Sequence, residues 1–426
     1  MRVAVVGGGW AGLAAAVTAV DAGHSVTLLE MAHQWGGRAR RVQADGADFD
    51  NGQHILIGAY TQTLALMRRV GADPDTLLQR LPLTLRYPQG HGLRLPRGPA
   101  VPAFVRGVLA CTDWTWRERL ALLRAAAGWG LRGFRCDPSL TVAGLCASLP
   151  ARVRQDLLDP LCVAALNTPA DAASASVLLR VLHDALFSGP GAADLLLPRQ
   201  TLDRLLPLPA VAWLQAAGAP CLPGRRVQTL QPDGAGWALD GERFDAVILA
   251  CHAAEAARLT LAIAPGWSAA AAALRYEPIV TAYLQCDGAR LPVPMMALHA
   301  DDQVAPAQFV FDLGALGGPA GRFAFVISGA AAWVARGQAA VGDAVLTQAA
   351  SAFDAGTWPT PPRLLRLISE KRATFRCTPG LDRPPATIAP GLVAAGDHVA
   401  GPYPATLEGA VRSGRAAALG LTTGSR

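Results

Sequence analysis

Glycines at 7, 9 and 12, followed by a carboxylate at 30, have the types and spacing that hold a diphosphate and a ribose. Gly7 permits a tight turn, Gly9 lets a pyrophosphate approach the backbone, and Gly12 lets a helix pack closely on a strand. Glu30 is placed to accept hydrogen bonds from ribose hydroxyls; it disfavours a 2′-phosphate, so NADP is not expected in this slot. These residues need elements to position them. Arg2 to Val6 reads as a buried parallel strand, Leu13 to Ala22 as a helix ending at Gly23, and Ser25 to Leu29 as a second strand with Glu30 at its end. The start of that helix offers free N–H groups and the positive end of its dipole to phosphates.

Further pieces lie downstream and at the far end. Gly36-Gly37-Arg38 comes soon after Glu30, and Asp50-Asn51-Gly52 after that. Near the carboxy terminus an apolar strand from Leu392 runs into Gly396-Asp397, and Glu408-Gly409-Ala410 opens a helix carrying Ser413 and Gly414. This order of motifs resembles the flavin amine oxidase and phytoene desaturase superfamily. The resemblance implies an α/β fold: a Rossmann-like FAD-binding domain of the glutathione-reductase and amine oxidase type, with an inserted α+β substrate domain. The implied cofactor is FAD, held by Gly7, Gly9, Gly12, Glu30, Gly37, Arg38, Gly52, Val227, Asp397, Glu408, Gly409 and Ala410. The Gly-Gly-Arg turn would lie against the pyrophosphate and isoalloxazine, Asp397 against the ribityl chain, and the backbone of Val227 against adenine. The helix opened by Glu408-Gly409-Ala410 would point its N-terminus at the flavin. On this reading residues 1–75, 205–270 and 385–426 form a discontinuous FAD domain, and 76–204 and 271–384 a substrate domain with a helical part and a mixed-sheet part.

Three stretches narrow the likeness: Asp50 to Gly58, Pro160 to Pro169 and Glu370 to Pro379. Together they resemble the hydroxysqualene dehydroxylases of bacterial hopanoid pathways, nearly end to end. That resemblance implies reduction of a long isoprenoid allylic alcohol, hydroxysqualene, to squalene and water, with hydride from reduced flavin. Hydroxide leaves poorly, so an acid is needed. His54 is the first candidate, because histidine titrates near neutrality; a structural histidine bonded to backbone is the competing reading. Asn167 would orient the hydroxyl, and Tyr403 is another donor. Lys371, the one lysine in the chain, is either a functional cation or an exposed strand position. Two alternatives stay open: a phytoene-type isoprenoid desaturase or amine oxidase on the same scaffold, and, from another class, a lipid carrier with a vestigial nucleotide site.

Composition sets the frame. The 426 residues suit two or three domains, 51% are hydrophobic and only 16% charged, which leaves apolar surface for a greasy ligand or a membrane. The net charge of +6 has no Lys/Arg block, so no nucleic-acid partner is expected. The 8 cysteines show neither a Cys-x-x-Cys pair nor zinc spacing, which predicts free thiols in a reducing cytosol and no metal. The apolar stretch Val3 to Val20 is too short and too glycine-rich to span a bilayer. A cytoplasmic location is expected, with peripheral contact at the inner face of the membrane left open. No second glycine fingerprint identifies an electron donor.

Residues from about 75 to 205 carry Leu, Ala and Arg at helical spacing. Leu120, Leu122, Leu123, Ala126 and Ala127 read as one apolar stripe, accompanied by Trp114, Trp116 and Trp129: a bilayer-interface helix or a core helix. Ile279 to Leu284, Phe323 to Ile327 and Leu364 to Ile368 read as strands, as do Val227 to Leu239, taken as a hairpin, and Phe244 to Cys251.

Overall fold

The computed structural model describes residues 1–354 and 356–423. The chain opens with β1 (Arg2–Val6), α1 (Trp10–Asp21) and β2 (Ser25–Glu30). A helical region follows: α2 (Thr61–Arg69), α3 (Ala100–Ala110), α4 (Trp116–Leu131), α5 (Asp159–Leu166) and α6 (Ala175–Phe187). Then come β3 (Cys221–Pro223), β4 (Ala246–Leu249), β5 (Tyr276–Gln285), β6 (Met295–Ala297), β7 (Phe309–Asp312), β8 (Arg322–Ile327) and β9 (Arg363–Phe375). The chain closes with β10 (Thr387–Ala389), β11 (Leu392–Ala394) and α7 (Leu407–Thr423).

Two sheets organise these elements. The first has the order β3-β2-β1-β4-β11-β10 and is parallel except for its last pair. It therefore draws strands from both ends of the chain. Alternate residues of β1 face opposite sides, so Val3 and Val5 pack against α1 and α7 while Ala4 and Val6 pack under Phe244 and Trp237. Burial on both faces is what a run such as Val-Ala-Val-Val encodes. Helix α1 begins at Trp10 rather than Leu13, because Gly9 already adopts the extended N-cap backbone and Trp10 to Gly12 are buried in the helix. Its contact with α7 is close: a Cβ at Gly414 would stand 2.0 Å from the Ala11 carbonyl oxygen. The strand expected from Phe244 to Cys251 is shorter, Ala246–Leu249, because Phe244 belongs to a separate three-stranded sheet with Leu230–Asp233 and Gly236–Leu239.

The second sheet, β6-β7-β8-β5-β9, is antiparallel. The three strand runs read from the sequence in this region lie inside β5, β8 and β9. Between β5 and β9 the register passes from Glu277 opposite Thr374 to Ile279 opposite Glu370, so residues 371–373 bulge out against Pro278. Proline lacks the N–H that would continue the ladder, which makes it a natural bulge site. One face of this sheet packs with α3 to α6; the other is covered by helix Gln338–Ala352. The whole is an α/β architecture, a Rossmann-like parallel sheet joined to an α+β second body.

The supposed single stripe on α4 is two faces. Residues two apart lie 200° apart around a helix, so Leu122 is buried with Ala126 beside it while Leu120 and Ala127 are exposed. No helix among the described residues is long and apolar enough to cross a membrane.

Candidate active site

The glycine loop is built by steric exclusion. Gly7 has φ +113°, and a Cβ there would stand 2.5 Å from the Ala250 carbonyl oxygen; one at Gly12 would stand 1.8 Å from the Gly7 carbonyl oxygen. Gly9 is different, since its nearest neighbour would be the Cα of Gly37 at 3.7 Å. The Gly36 N–H donates to the Gly8 carbonyl at 2.9 Å, which latches the Gly-Gly-Arg turn to the first loop and leaves a glycine-lined cradle between them. Glu30 is buried at its edge and accepts from the N–H groups of Gly8 (2.6 Å) and Ala32 (2.7 Å). Those bonds fix the carboxylate and leave acceptor capacity for ribose hydroxyls.

The two ends of the chain meet here. Arg38 donates to Asp397 at 2.5 Å and to the bulged Ala373 carbonyl at 2.7 Å. Burial opposes the charge on each partner, but their attraction outweighs it: Asp397 is held below the usual carboxylate range and Arg38 above its own. Gly9, Gly37, Arg38 and Asp397 all line one cavity of about 660 Å³.

Two histidines not anticipated from the sequence line it too. His252 follows β4 and His398 follows Asp397, both beyond the carboxyl ends of parallel strands, where ligands of such sheets bind. That positional rule would have found them. The Nδ1 of His252 accepts from the Ala254 N–H at 3.2 Å, and in both rings Nε2 is buried without a partner. Burial, then the Arg38 charge against His252, pushes each to about 4; for His398 burial outweighs the neighbouring Asp397. A histidine whose folded pKa lies below its unfolded value binds fewer protons when folded, so its stabilisation is full above about 6.5 and is lost as pH falls towards 4. We expect the pair to cost on the order of 2–4 kcal/mol of stability across that window. Thermal melts at pH 7 and 4.5 would show it, and the variant His252→Gln/His398→Gln should flatten the slope; an unchanged slope would refute the assignment.

The far side of the cradle is the start of α7. Thr406 caps it by accepting the Gly409 N–H at 3.1 Å, while Leu407, Glu408 and Ala410 line the cavity. The Glu408 carboxylate points away. It accepts from the N–H groups of Gln62 (3.1 Å) and Thr63 (2.9 Å), from the Thr63 hydroxyl (2.7 Å) and from Arg412 (2.7 Å), so it caps α2. Gly409 and Gly12 do not line the cavity, while Gly52 and Val227 do. Arg258 donates to the Val227 carbonyl at 2.6 Å, which leaves the N–H as its other backbone group.

The catalytic candidates separate. His54 lines the cavity and donates from Nδ1 to the Gly52 carbonyl at 2.8 Å, which leaves Nε2 as the nitrogen with the lone pair; burial, then Arg38, lowers its pKa. At neutral pH it is therefore an acceptor rather than an acid. Asn167 lines the cavity with both amide N–H groups engaged: they donate to the Glu277 carbonyl (3.2 Å) and Thr374 (2.9 Å), and its oxygen accepts the Gly329 N–H (2.7 Å). Its φ of +47° ends α5 in the left-handed form, so it ties that helix to the second sheet. Lys371 is exposed on the β9 bulge and is not part of the lining. Tyr403 lines the cavity with its ring between Arg180 and Arg412, each 5.1 Å from the centroid. Arg180 donates to the Tyr403 oxygen at 3.2 Å. Arginine cannot accept, so the phenolic proton stays available.

From this polar end the cavity continues between α3 to α6 and the second sheet, walled by side chains such as Phe104, Leu122, Trp129, Leu161, Phe309 and Phe311. A glycine cradle, a buried ribose acceptor, a helix N-terminus and an apolar chamber fit a flavin dinucleotide with a greasy substrate beside it. All eight cysteines are free thiols, and no group of three or more metal-type ligands occurs among the described residues.

Similarities to known proteins agree. Residues 10–420 match the model of the flavin containing amine oxidoreductase family. The chain is 29% identical over 448 residues to the hydroxysqualene dehydroxylase of Rhodopseudomonas palustris, covering 99% of both chains. It is 27% identical to that of Zymomonas mobilis, covering 97% of each. Among solved structures, an oxidoreductase from Methanosarcina mazei superposes with a TM-score of 0.74 at 16% identity, covering 99% of this chain and 100% of that one. Reduced UDP-galactopyranose mutase does so at 0.69 and 14%, covering 99% and 94%; both likenesses speak to fold. This chain belongs to the flavin containing amine oxidoreductase family, and its cofactor is FAD.

Proposed function

We propose that the chain reduces hydroxysqualene to squalene, replacing a C–OH bond by C–H and releasing water. The observation that carries this is the continuity of one cavity from the dinucleotide cradle into a chamber walled by leucine, phenylalanine and tryptophan. Near end-to-end similarity to two hydroxysqualene dehydroxylases supports it. Bound FAD, when reduced, supplies the hydride.

The chain's own residues handle substrate, water and proton. The apolar walls hold the hydrocarbon and keep water from the allylic carbon as positive charge develops there. Tyr403 donates the proton that lets the oxygen leave as water, and Arg180 and Arg412 on either side of its ring stabilise the phenolate left behind. His54 accepts a hydrogen bond from the substrate hydroxyl through Nε2 and so orients it. Val227, Leu407 and Glu408 would hold the cofactor through backbone groups, and Glu30, Arg38 and Asp397 through side chains.

Anaerobic mixing of photoreduced protein with hydroxysqualene tests the direction of electron flow. Reoxidation of the flavin with one squalene formed per flavin is the expected result. A flavin that stays reduced, or an oxidised protein that instead takes hydride from an isoprenoid or an amine, would overturn the proposal in favour of a desaturase or an amine oxidase.

A further inference from the structure

The outward face of α3 and α4 is unlike a surface built for water. Val101, Val105 and Leu109 are exposed at every fourth position of α3. On α4 the same is true of Trp116 (64% exposed), Leu120 and Leu131 (90% exposed), which fall within about 60° of arc on a regular helix. The inner side of these two helices supplies Phe104, Leu122, Ala126 and Trp129 to the cavity wall. A helix with one side in water shows one apolar stripe; α4 shows two, on different sides.

Charge says what covers the outer one. Residues 94–135 contain eight arginines against two carboxylates, Asp113 and Glu118, so this segment alone carries the chain's whole net charge of +6 and the remainder is balanced. Arg106, Arg117, Arg124 and Arg132 are exposed and enter no ion pair among the described residues. Arg119 braces the platform, donating to the Leu109 carbonyl at the end of α3 (2.8 Å) and stacking on Trp116 (4.7 Å). Phe134, held with φ +56°, lines the chamber and meets the exposed Phe187 at 5.5 Å between ring centroids.

We infer that this face seats in the headgroup layer of a bilayer carrying anionic lipid, with the α3–α4 side chains in the acyl boundary and the arginines among the phosphates. Exposed aromatic and aliphatic side chains flanked by unpaired arginines are what such a layer binds. The role this gives the face, taking a water-insoluble substrate directly from the membrane, rests on the isoprenoid reading of the cavity; the seating itself does not.

Flotation of the FAD-loaded protein with vesicles tests it without any substrate. Vesicles of phosphatidylcholine mixed with phosphatidylglycerol should carry the protein up the gradient, and phosphatidylcholine alone should carry about tenfold less or weaker still, with added salt reducing the binding. Two variants should each weaken partitioning by about tenfold or more, Trp116→Ser/Leu120→Ser/Leu131→Ser through lost apolar area and Arg117→Glu/Arg124→Glu/Arg132→Glu through reversed charge. Both should keep the parent's melting temperature and flavin content, since none of the six side chains lines the cavity. A parent that does not float, or variants that float as the parent does, would overturn the inference. So would self-association of the parent that the same variants abolish, which would make the face a protein interface. Failure here leaves the anaerobic turnover of detergent-dispersed hydroxysqualene untouched, so the two proposals fall separately.

Discussion

Replacing Arg38 with methionine should weaken FAD binding by about 100-fold and destabilise the protein by about 3 kcal/mol. The guanidinium joins the two ends of the chain: one nitrogen reaches Asp397 and another the Ala373 carbonyl. Methionine matches its stem but leaves the Asp397 carboxylate, only 8% exposed, without its cation. Breaking such a pair by removing one partner costs about 3–5 kcal/mol when both are buried; Arg38 is one-third exposed, which brings the figure to the lower end. The unpaired carboxylate would then lose the attraction that holds its pKa down and rise with burial. The affinity falls because the same side chain lines the cradle and would face the cofactor's diphosphate: a hydrogen bond to a charged group is worth about 1.5–3 kcal/mol, and about 1.4 kcal/mol is tenfold. Flavin titration by fluorescence quenching, with thermal unfolding alongside, measures both. The double variant Arg38→Met/Asp397→Asn should regain part of the stability but not the affinity. Equal flavin affinity in the single variant and the parent would remove Arg38 from the site.

What the sequence disclosed, and what it hid, follows from how far apart the partners lie. The glycine loop was legible because most of its reasons are local: Gly7 takes a positive φ in the turn itself, Gly12 is required by the nearby Gly7 carbonyl, and Glu30 ends the next strand in the same unit. The ends of the chain could be matched because Gly-Asp and Gly-Gly-Arg are short, recognisable turns. The side-chain partners of Asn167 and Glu408 were hidden for the opposite reason. They come from positions such as Gly329, Thr374 and Thr63, far along the chain. His54 could be placed but not its protonation, because the Gly52 carbonyl fixes the tautomer and burial lowers the pKa. On α4 the difficulty is periodicity: a helix apolar on both sides has a weak pattern, so residues 120 and 122 read as one stripe although they face opposite ways.

Replacing Tyr403 with phenylalanine should lower the rate of squalene formation by about 100- to 1000-fold while leaving flavin affinity and melting temperature near the parent's. General acids contribute about 10²–10⁴-fold, and the change removes only the hydroxyl. The ring stays between Arg180 and Arg412, so the packing that positions the loop after Asp397 is kept. Arg180 would lose one acceptor but keep its ion pair with Asp184 at 3.1 Å, which limits any structural cost. His54→Gln separates the two roles assigned at this end of the cavity. If His54 orients the hydroxyl as an acceptor, glutamine should raise KM more than it lowers kcat, because an amide oxygen can still accept. If His54 were the acid instead, the parent's rate would climb as pH falls below 6.5, since burial holds its pKa down and the protonated ring forms only there; His54→Gln would abolish that climb, and Tyr403→Phe would leave turnover intact. Single-turnover rates of both variants from pH 5.5 to 8.5 distinguish these outcomes, and a full rate in Tyr403→Phe would transfer the proton to another group.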